Sequence, residues 1–207
     1  MKLDDLSQNI YVLNLKKRKD RLQHIKNELK KIDCKNYKIY ESVDGNSIEN
    51  KTKLRNGAFG LVKTYLNLHS ELTKNNYNDV LIIEDDCVFC ENFNHLLENY
   101  YNKIPKNWDF LYFGANHNYH IGYKTELINE EVLKLNHSYS AHCVLIKKNV
   151  FDELITNLIN PTTQIDVILA KLQSKYNAYS PSKPLTTQLP NFSDIEDKNV
   201  DYNWLIK

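Results

Sequence analysis

Glycine and proline are both scarce in this chain, with five residues of each among 207. Neither glycine-rich phosphate motif is present: the sequence has no G-x-x-x-x-G-K-[ST] loop and no G-x-G-x-x-G turn. These absences argue against P-loop ATPases and against dehydrogenases that bind a dinucleotide. An α/β enzyme that uses acidic residues and Mg²⁺ without such a loop, such as a nucleotidyl- or phosphotransferase, stays open as an alternative.

A surplus of charge and a long hydrophobic run are also missing. The 27 basic residues nearly balance the 26 acidic residues, so no overall attraction to nucleic acid is expected. No stretch approaches the roughly 20 apolar residues that a transmembrane helix requires. The short apolar run near the start is followed by the basic segment 16–21, the wrong order for a secretory signal. We therefore expect a soluble cytoplasmic protein, or a lumenal one if the chain is part of a longer protein.

Soft metal ligands are few. Of the cysteines at positions 34, 87, 90 and 143, Cys87 and Cys90 form a C-x-x-C pair. A zinc or redox role for that pair requires a second ligand pair or a helix N-terminus nearby, and neither is evident. We interpret the cysteines as half-buried thiols. His117 and His120 do not have a convincing metal-binding spacing and are interpreted as exposed loop residues.

Apolar periodicity divides the chain into alternating strands and helices. Strands are predicted over 10–15, 37–43, 80–83, 109–113 and 138–146, and helices over 22–32, 60–72, 93–100, 150–158 and 167–172. Segments 46–56 and 115–129 are predicted loops, and the chain from residue 180, with three of the five prolines, is predicted to be irregular. The alternation predicts a single α/β domain with a mostly parallel central sheet and helices on both faces.

Three consecutive carboxylates, Glu84, Asp85 and Asp86, follow the most apolar predicted strand. Ligands bind beyond the carboxyl ends of such strands, and three like charges repel one another unless something positive lies among them. Oxygen ligands of this kind suit Mg²⁺ or Mn²⁺, which share their coordination shell with substrate phosphates. Alternate residues of an extended chain face the same way, so Glu84 and Asp86 can share one site. A solvated acidic turn that caps the next helix is an equal alternative.

Five ordered segments resemble glycosyltransferase family 25, which includes bacterial lipooligosaccharide galactosyltransferases and collagen hydroxylysine galactosyltransferases. Residues 10–21 are similar to its opening INL…R-x-DR motif, and residues 43–45 to its D-G turn. Residues 57–60 are similar to its glycine-marked helix, residues 81–86 to its EDD motif and residues 108–114 to its WD…LG strand. Residues 140–147, 165–166 and 184–195 are similar to later motifs of the family. The resemblance therefore covers nearly the whole chain.

The resemblance implies a nucleotide-sugar-binding fold of the GT-A type, with a donor-binding part at about 8–115 and an acceptor-side part at about 116–207. It implies inverting transfer of a hexose, galactose or glucose, from a UDP-sugar, with Mn²⁺ (or Mg²⁺) as cofactor. The implied acceptor is a glycan, a lipid-linked sugar or a hydroxylysine on a collagen-like chain. Where the family has G-C-x-x-S-H, this chain has Thr64 and Tyr65 in place of serine and histidine. That departure leaves open a catalytically silent relative that binds a nucleotide-sugar or a protein partner.

The same resemblance suggests roles for the acidic residues. Glu84 and Asp86 are assigned to the metal ion and the diphosphate, and Asp85 to the donor sugar or a basic side chain. Asp166 is the candidate general base that deprotonates the acceptor hydroxyl. Because it opens a predicted helix, an N-cap is the structural alternative for Asp166.

Residues after the first two strands are candidates for donor binding. Arg18 and Arg21 can hold a phosphate through two hydrogen bonds, although a solvated basic helix face is the alternative. Asn14, Asp44 and Gly45 stand at strand ends where the nucleoside is expected. A carboxylate there can accept hydrogen bonds from ribose hydroxyls, and a plain Asp-Gly turn is the alternative for Asp44.

Overall fold

The computed structural model describes residues 1–119 and 122–201, so His120 lies outside the described residues. The strands are β1 (Ile10–Leu15), β2 (Lys38–Ser42), β3 (Asp79–Glu84), β4 (Cys87–Phe89), β5 (Phe110–Tyr112), β6 (Glu126–Asn129), β7 (Val132–Lys134), β8 (Cys143–Lys147), β9 (Ala178–Pro181), β10 (Thr186–Gln188), β11 (Asn191–Ser193) and β12 (Lys198–Val200). The α-helices are α1 (Lys19–Lys31), α2 (Asn56–Leu72), α3 (Phe93–Lys103), α4 (Lys148–Leu158) and α5 (Ile165–Leu172). None of the helices in these two ranges is both long enough and apolar enough to cross a bilayer.

Eight strands form the central sheet in the order β2-β1-β3-β8-β5-β9-β7-β6. Strand β1 pairs in parallel with β2 and β3, and β5 pairs in parallel with β9. The remaining neighbours, β3 with β8, β8 with β5, β9 with β7 and β7 with β6, are antiparallel. In the described part of the chain, six of these eight strands therefore point the same way. The predicted α/β class with a mostly parallel central sheet is confirmed.

Side chains of β3 alternate between two cores, one on each face of the sheet. Val80 and Ile82 pack on one face with α2, α4 and α5. Leu81 and Ile83 pack on the other face with α1 and α3. All four side chains are fully buried, and each such burial stabilises the fold by ~1.5–3 kcal/mol. Helices on both faces, as predicted, explain why this strand is continuously apolar.

Helix α1 carries the first basic segment onto the sheet. Ile25 and Leu29 are fully buried on its inner face, and Lys30 and Lys31 in its last turn suit the negative end of the helix dipole. The helix ends before Asp33, which has a left-handed backbone with φ of 55°. This docking fixes the first turn of α1 beside the end of β1.

Several predictions of the shorter elements are wrong. The predicted strand 138–146 begins only at Cys143, the predicted loop 115–129 contains β6, and the tail from residue 180 is not irregular because it contains β10, β11 and β12. Strands β4, β7 and β9 were also not expected. These strands have three or four residues each, too few to show a period. They are stabilised by pairing with distant segments, as β10 is by β4.

Candidate active site

A cleft of about 250 Å³ opens at the carboxyl ends of β1, β2 and β3. Ligands bind at this edge in sheets of this kind. Seven of the nine predicted site residues line the cleft: Arg21, Asp44, Gly45, Glu84, Asp85, Asp86 and Asp166. The lining residues come from both residues 8–115, the predicted donor-binding part, and residues 116–207, the predicted acceptor-side part. The division of a single domain into these two parts stays a prediction.

The acidic triplet is not a solvated turn. Asp85 and Asp86 are only 6% and 7% exposed, and Glu84 is half-buried. The triplet is followed by strand β4, and the N-cap of the next helix is Asn92. Its carboxylates therefore do not cap that helix, and their burial needs another explanation.

Arg21 supplies the positive charge among these carboxylates. Its Nη1 lies 3.0 Å from Asp85 Oδ1 and 3.2 Å from Asp86 Oδ2, and its Nη2 donates to the carbonyl of Phe192 at 2.8 Å. Asn14 Nδ2 donates to the other oxygen of Asp85 at 2.7 Å. Burial raises the pKa of Asp85, and Arg21 and Asn14 partly oppose that rise. Asp85 is therefore held by protein groups, and Asn14 acts through it without lining the cleft.

Asp86 is held by Arg21 and by a hydrogen bond with the Gln188 side chain, but these partners do not satisfy both of its oxygens. Asp86 Oδ1 is buried and has no hydrogen-bond partner among the described residues. Burial raises the pKa of the carboxyl groups of both Glu84 and Asp86, and the charge of Asp86 raises that of Glu84 further. A cation placed between them would relieve the repulsion, and these oxygens are the ligand type that Mn²⁺ and Mg²⁺ prefer.

The metal-ligand set is not complete in the protein alone. Within residues 1–119 and 122–201, no group of three or more His, Cys, Asp or Glu side chains is arranged to hold a metal ion. Two carboxylates fit an ion that completes its shell with waters and substrate phosphates. The residues present therefore fit a metal ion that binds together with a diphosphate.

Asp166 lines the same cleft from α5. It is the second residue of α5, whose N-cap is Gln164, so the N-cap alternative for Asp166 is wrong. The side chain is half-buried, and burial raises its pKa. A carboxylate with a raised pKa and access to a cleft can accept a proton from a bound hydroxyl.

Arg18 and Asp44 take part in an ion-pair group beside the cleft. Arg18 is bound by Asp20 at 2.8 Å and by Asp194 at 2.5 Å, and it does not line the cleft. Lys17 pairs with Asp44 at 2.8 Å, and this contact lowers the pKa of Asp44. Asp44 also caps the following turn by accepting from the backbone N–H of Asn46 at 3.1 Å. The carboxylate thus forms the Asp-Gly turn and also lines the cleft.

Gly45 is required by close packing. A Cβ at this position would lie 1.7 Å from the carbonyl oxygen of Asn56, and a Cβ on Gly60 would lie 2.6 Å from Gly45 N. Thr64 Oγ1 accepts from the backbone N–H of Val43 and donates to the Gly60 carbonyl, both at 2.9 Å. The hydroxyl that replaces the family serine therefore ties the end of β2 to α2.

Tyr65, the other departure from the family pattern, belongs to the core. Its side chain is 1% exposed, and its ring centroid lies 6.0 Å from that of Phe151. Burial raises the pKa of the phenol well above its ordinary value, and the charges of Glu84 and Asp166 add to that effect. Tyr65 is therefore close enough to Glu84 and Asp166 for their charges to act on it, but it does not line the cleft.

Prediction from sequence missed one wall of the cleft, the β11–β12 hairpin. Ser193, Asp194, Ile195, Glu196 and Val200 line the cleft from this hairpin. The backbone of Asp194 packs directly on α2, since a Cβ on Gly57 would lie 2.0 Å from the Asp194 carbonyl oxygen. The resemblance of residues 193–195 to the closing family motif was the signal that could have located this wall.

A second missed wall precedes β8. Ser140 lines the cleft with a left-handed backbone, φ 96°, which is strained for a non-glycine residue. Its hydroxyl contacts Nδ1 of the buried His142, whose Nε2 lies 2.9 Å from Thr186 Oγ1. Burial lowers the pKa of His142 to about 4. His142 is therefore neutral at physiological pH, and it joins the run before β8 to β10.

The cysteines are less exposed than expected. Cys34, Cys87 and Cys143 are fully buried and only Cys90 is half-buried, and all four are free thiols. Burial raises the pKa of Cys87, and a hydrogen bond with Cys143 adds to that rise, so neither a zinc nor a thiolate role is supported. His117 is also half-buried rather than exposed, with Nδ1 3.0 Å from Ser138 Oγ.

Three known proteins illustrate what the chain is similar to. A procollagen lysyl hydroxylase and glycosyltransferase of Acanthamoeba polyphaga mimivirus is 29% identical over 72% of this chain, which spans 20% of that relative's length. A protein of STIV shares 16% identity, with a TM-score of 0.46 over 93% of this chain and 92% of that one. A Drosophila β-1,4-galactosyltransferase 7, solved with manganese, UDP-Gal and xylobiose, shares 9% identity, with a TM-score of 0.43 over 93% of this chain and 69% of that one.

The family match covers most of the chain. The model of glycosyltransferase family 25, described as an LPS biosynthesis protein family, matches residues 7–164. That range contains the whole acidic triplet, the first strand and α4. The observed sheet confirms the α/β class that the resemblance implied. The chain belongs to glycosyltransferase family 25.

Proposed function

We propose that this glycosyltransferase is metal-dependent and inverting, and that it transfers galactose or glucose from a UDP-sugar to a glycan or hydroxylysine-type acceptor. The donor diphosphate would lie at the carboxyl ends of β1 and β3, with the nucleoside toward Asp44 and Gly45. The mimivirus relative, named as a procollagen lysyl hydroxylase and glycosyltransferase, is the reason to include hydroxylysine among the acceptors.

One observation carries the proposal: a buried carboxylate oxygen, Asp86 Oδ1, that no described protein group satisfies. Leaving a charged group buried without a partner costs free energy, by ~1–3 kcal/mol or more. Glu84 lines the same cleft, and burial together with the charge of Asp86 raises its pKa. A protein that keeps such a pair is expected to use it for a ligand that is itself positive.

Glu84 and Asp86 would hold a divalent ion, with Arg21 retaining Asp85 in place beside them. When bound, the ion supplies positive charge that offsets the charge developing on the departing diphosphate. Arg21 is already engaged with two carboxylates and a carbonyl, so its contribution is to fix the triplet rather than to bind phosphate directly.

Asp166 would act as the base. Inversion at the anomeric carbon requires the acceptor hydroxyl to attack from the face opposite the leaving group and to lose its proton as it attacks. Asp166 lines the cleft from helix α5 rather than from the strand that carries Glu84. Its raised pKa makes it a stronger base than an ordinary aspartate.

The silent-relative alternative gains little support from the departure that suggested it. Tyr65 packs against Phe151 and lies in the core, and Thr64 keeps the hydroxyl contact with the backbone of Val43. Both changes are accommodated below the cleft rather than within it. We therefore favour an active enzyme.

The test combines donor binding and turnover. UDP is titrated calorimetrically with and without Mn²⁺, and release of UDP is then measured from UDP-galactose and UDP-glucose with a panel of acceptors. Asp166→Asn is expected to bind UDP and Mn²⁺ as the wild type does while transfer falls by roughly 10²-fold or more. Undiminished turnover in that variant removes Asp166 as the base, and absence of Mn²⁺-dependent UDP binding by the wild type removes the donor and metal assignments.

A matched control is available on the surface. Glu130 is an exposed carboxylate outside the cleft, and only its backbone carbonyl has a described contact, with Ser182. Glu130→Gln removes one negative charge as Asp166→Asn does. It is expected to leave both UDP binding and transfer unchanged, so a loss shared by the two variants would indicate a general charge effect.

A further inference from the structure

Five aromatic side chains lead outward from one wall of the cleft, and we call them the aromatic platform: His117, Tyr119, Tyr123, His137 and Tyr139. Tyr139 lines the cleft, and its ring centroid lies 5.5 Å from that of His137. Tyr123 stacks on His137 with 4.1 Å between centroids and 19° between planes. His117 and Tyr119 form a neighbouring pair, 5.4 Å apart.

The two chain segments that carry most of the platform, residues 117–119 and residues 137–139, lie side by side. Asn116 and Tyr139 exchange backbone hydrogen bonds at 2.8 and 2.9 Å. The buried side chain of Asn118 donates to the carbonyl of His137, which has a left-handed backbone with φ of 60°. The platform is therefore continuous with the cleft through Tyr139 and is braced along its length.

A buried polar network anchors the platform to the core. Gln173, 4% exposed, accepts from the N–H of Ser138 and donates to the carbonyl of the same residue, both at 2.7 Å. It also donates to the hydroxyl of the buried Tyr112 at 3.2 Å. The Ser138 hydroxyl in turn holds His117 at 3.0 Å. This network fixes the backbone between His137 and Tyr139, both of which are half-buried.

Fixing exposed aromatic rings is unfavourable unless they bind something. Tyr119 is 55% exposed and Tyr123 is 37% exposed, so neither contributes fully to the core. Each ring offers an apolar face with a polar edge, and such rings dominate binding surfaces that are part apolar and part wet.

We propose that the aromatic platform binds the saccharide part of the acceptor, with pyranose rings stacked on Tyr119 and Tyr123 and the acceptor hydroxyl directed past Tyr139 into the cleft. A pyranose has the complementary surface: an apolar face of C–H groups and a rim of hydroxyls. The inference rests on the proposed function, since it places an acceptor beside the transfer site. It selects a glycan acceptor over a bare peptide.

Saturation-transfer NMR tests the platform on the full chain with UDP and Mg²⁺ present, because paramagnetic Mn²⁺ would broaden the ligand signals. The probes are lactose and the methyl glycosides of galactose and glucose, with a hydroxylysine-containing Gly-Xaa-Yaa peptide as the competing class. Irradiation of aromatic protein protons is expected to transfer to the ring C–H protons of a saccharide. Transfer to the peptide alone, or to none of the saccharides, overturns the proposal.

Variants locate the binding. Tyr119→Ala and Tyr123→Ala are each expected to raise the saccharide dissociation constant roughly tenfold, because each removes one stacking face. Tyr123→Phe keeps the face and is expected to restore affinity. Tyr101→Ala, on α3 outside the platform, is the control and is expected to change nothing.

UDP titration of the same proteins separates the two proposals. Unchanged UDP–Mn²⁺ affinity with weakened saccharide binding in the tyrosine variants supports both. Normal UDP binding with no loss of saccharide affinity in either variant overturns the platform and leaves the donor assignment intact. Saccharide binding that depends on Tyr123 in a protein that binds no UDP overturns the donor assignment and leaves the platform.

Discussion

Replacing Asp86 by asparagine is expected to stabilise the protein without ligands and to abolish its stabilisation by ligands. Asp86 is 7% exposed, its Oδ1 has no described partner, and its charge repels that of Glu84. Asparagine removes that charge and keeps an oxygen that can accept from Arg21, which still pairs with Asp85 at 3.0 Å. The same variant should therefore be more stable than the wild type without ligands and less stable than the wild type with them.

The magnitudes are large enough to measure. Relief of one unsatisfied buried charge is worth ~1–2 kcal/mol after the weakened ion pair with Arg21 is subtracted, which raises the melting temperature of a domain this size by roughly 2–8 °C. Mn²⁺ and UDP at about 100 times their dissociation constant should stabilise the wild type by ~2.7 kcal/mol. That corresponds to roughly 5–11 °C, and Asp86→Asn should gain almost none of it.

Thermal unfolding with and without Mn²⁺ and UDP measures both effects, with Glu130→Gln as the charge-matched control. The order of stability should reverse on adding ligand: Asp86→Asn melts above the wild type in buffer and below it with Mn²⁺ and UDP. A variant that melts below the wild type in buffer would refute the reasoning, since Asp86 would then be a structural ion-pair partner of Arg21 rather than a carboxylate kept for a ligand.

Further predictions follow from the same contacts. Arg21→Gln should lower stability by ~3–5 kcal/mol, because it leaves Asp85 and Asp86 buried without their cation; Arg55→Gln, which breaks one ion pair of an exposed arginine and its hydrogen bond to the Glu196 carbonyl, should cost no more than ~1–2 kcal/mol. Since burial raises the pKa of Glu84 and Asp86, protons should displace Mn²⁺ at a higher pH than the range near pH 4 in which ordinary carboxylates titrate; calorimetry at several pH values checks this, and a flat profile contradicts it. Gly45→Ala should destabilise the fold by ~1–3 kcal/mol or more, because its Cβ would collide with the backbone of α2; a denaturant titration measures the loss.

The centre of the sheet could be predicted from the sequence because its signal is local. Strand β1 has the predicted bounds, and β3 extends the predicted run by one residue at each end. Both strands are apolar on two faces, so a run of four to six residues is enough to identify them. The acidic triplet was located by the same logic, because the strand before it ends at a fixed edge of the sheet.

The cleft wall before β8 and the strands of the tail could not be predicted, because contacts with distant parts of the chain decide where these residues lie. Ser138, Ser140 and His142 are buried, yet nothing in their side chains indicates burial. They are buried because Gln173 and Thr186 satisfy them. Pro181 is one of the three prolines that led to the prediction of an irregular tail. It is the last residue of β9, where it pairs with Val132.

The reversed strand β8 explains how these two sets of residues meet. In a fully parallel sheet, the ligand edge is built only from loops that follow strands. Because β8 runs antiparallel to β3, the residues that precede it, among them Tyr139 and Ser140, reach the edge at which Glu84 ends β3, and the N–H of Glu84 donates to the carbonyl of His142 at 2.8 Å. One reversed strand thus joins the carboxylates proposed to hold the donor to the run that begins the aromatic platform. A variant that shortened the run before β8 should therefore impair acceptor and donor binding together, whereas loss of a platform tyrosine should impair acceptor binding alone.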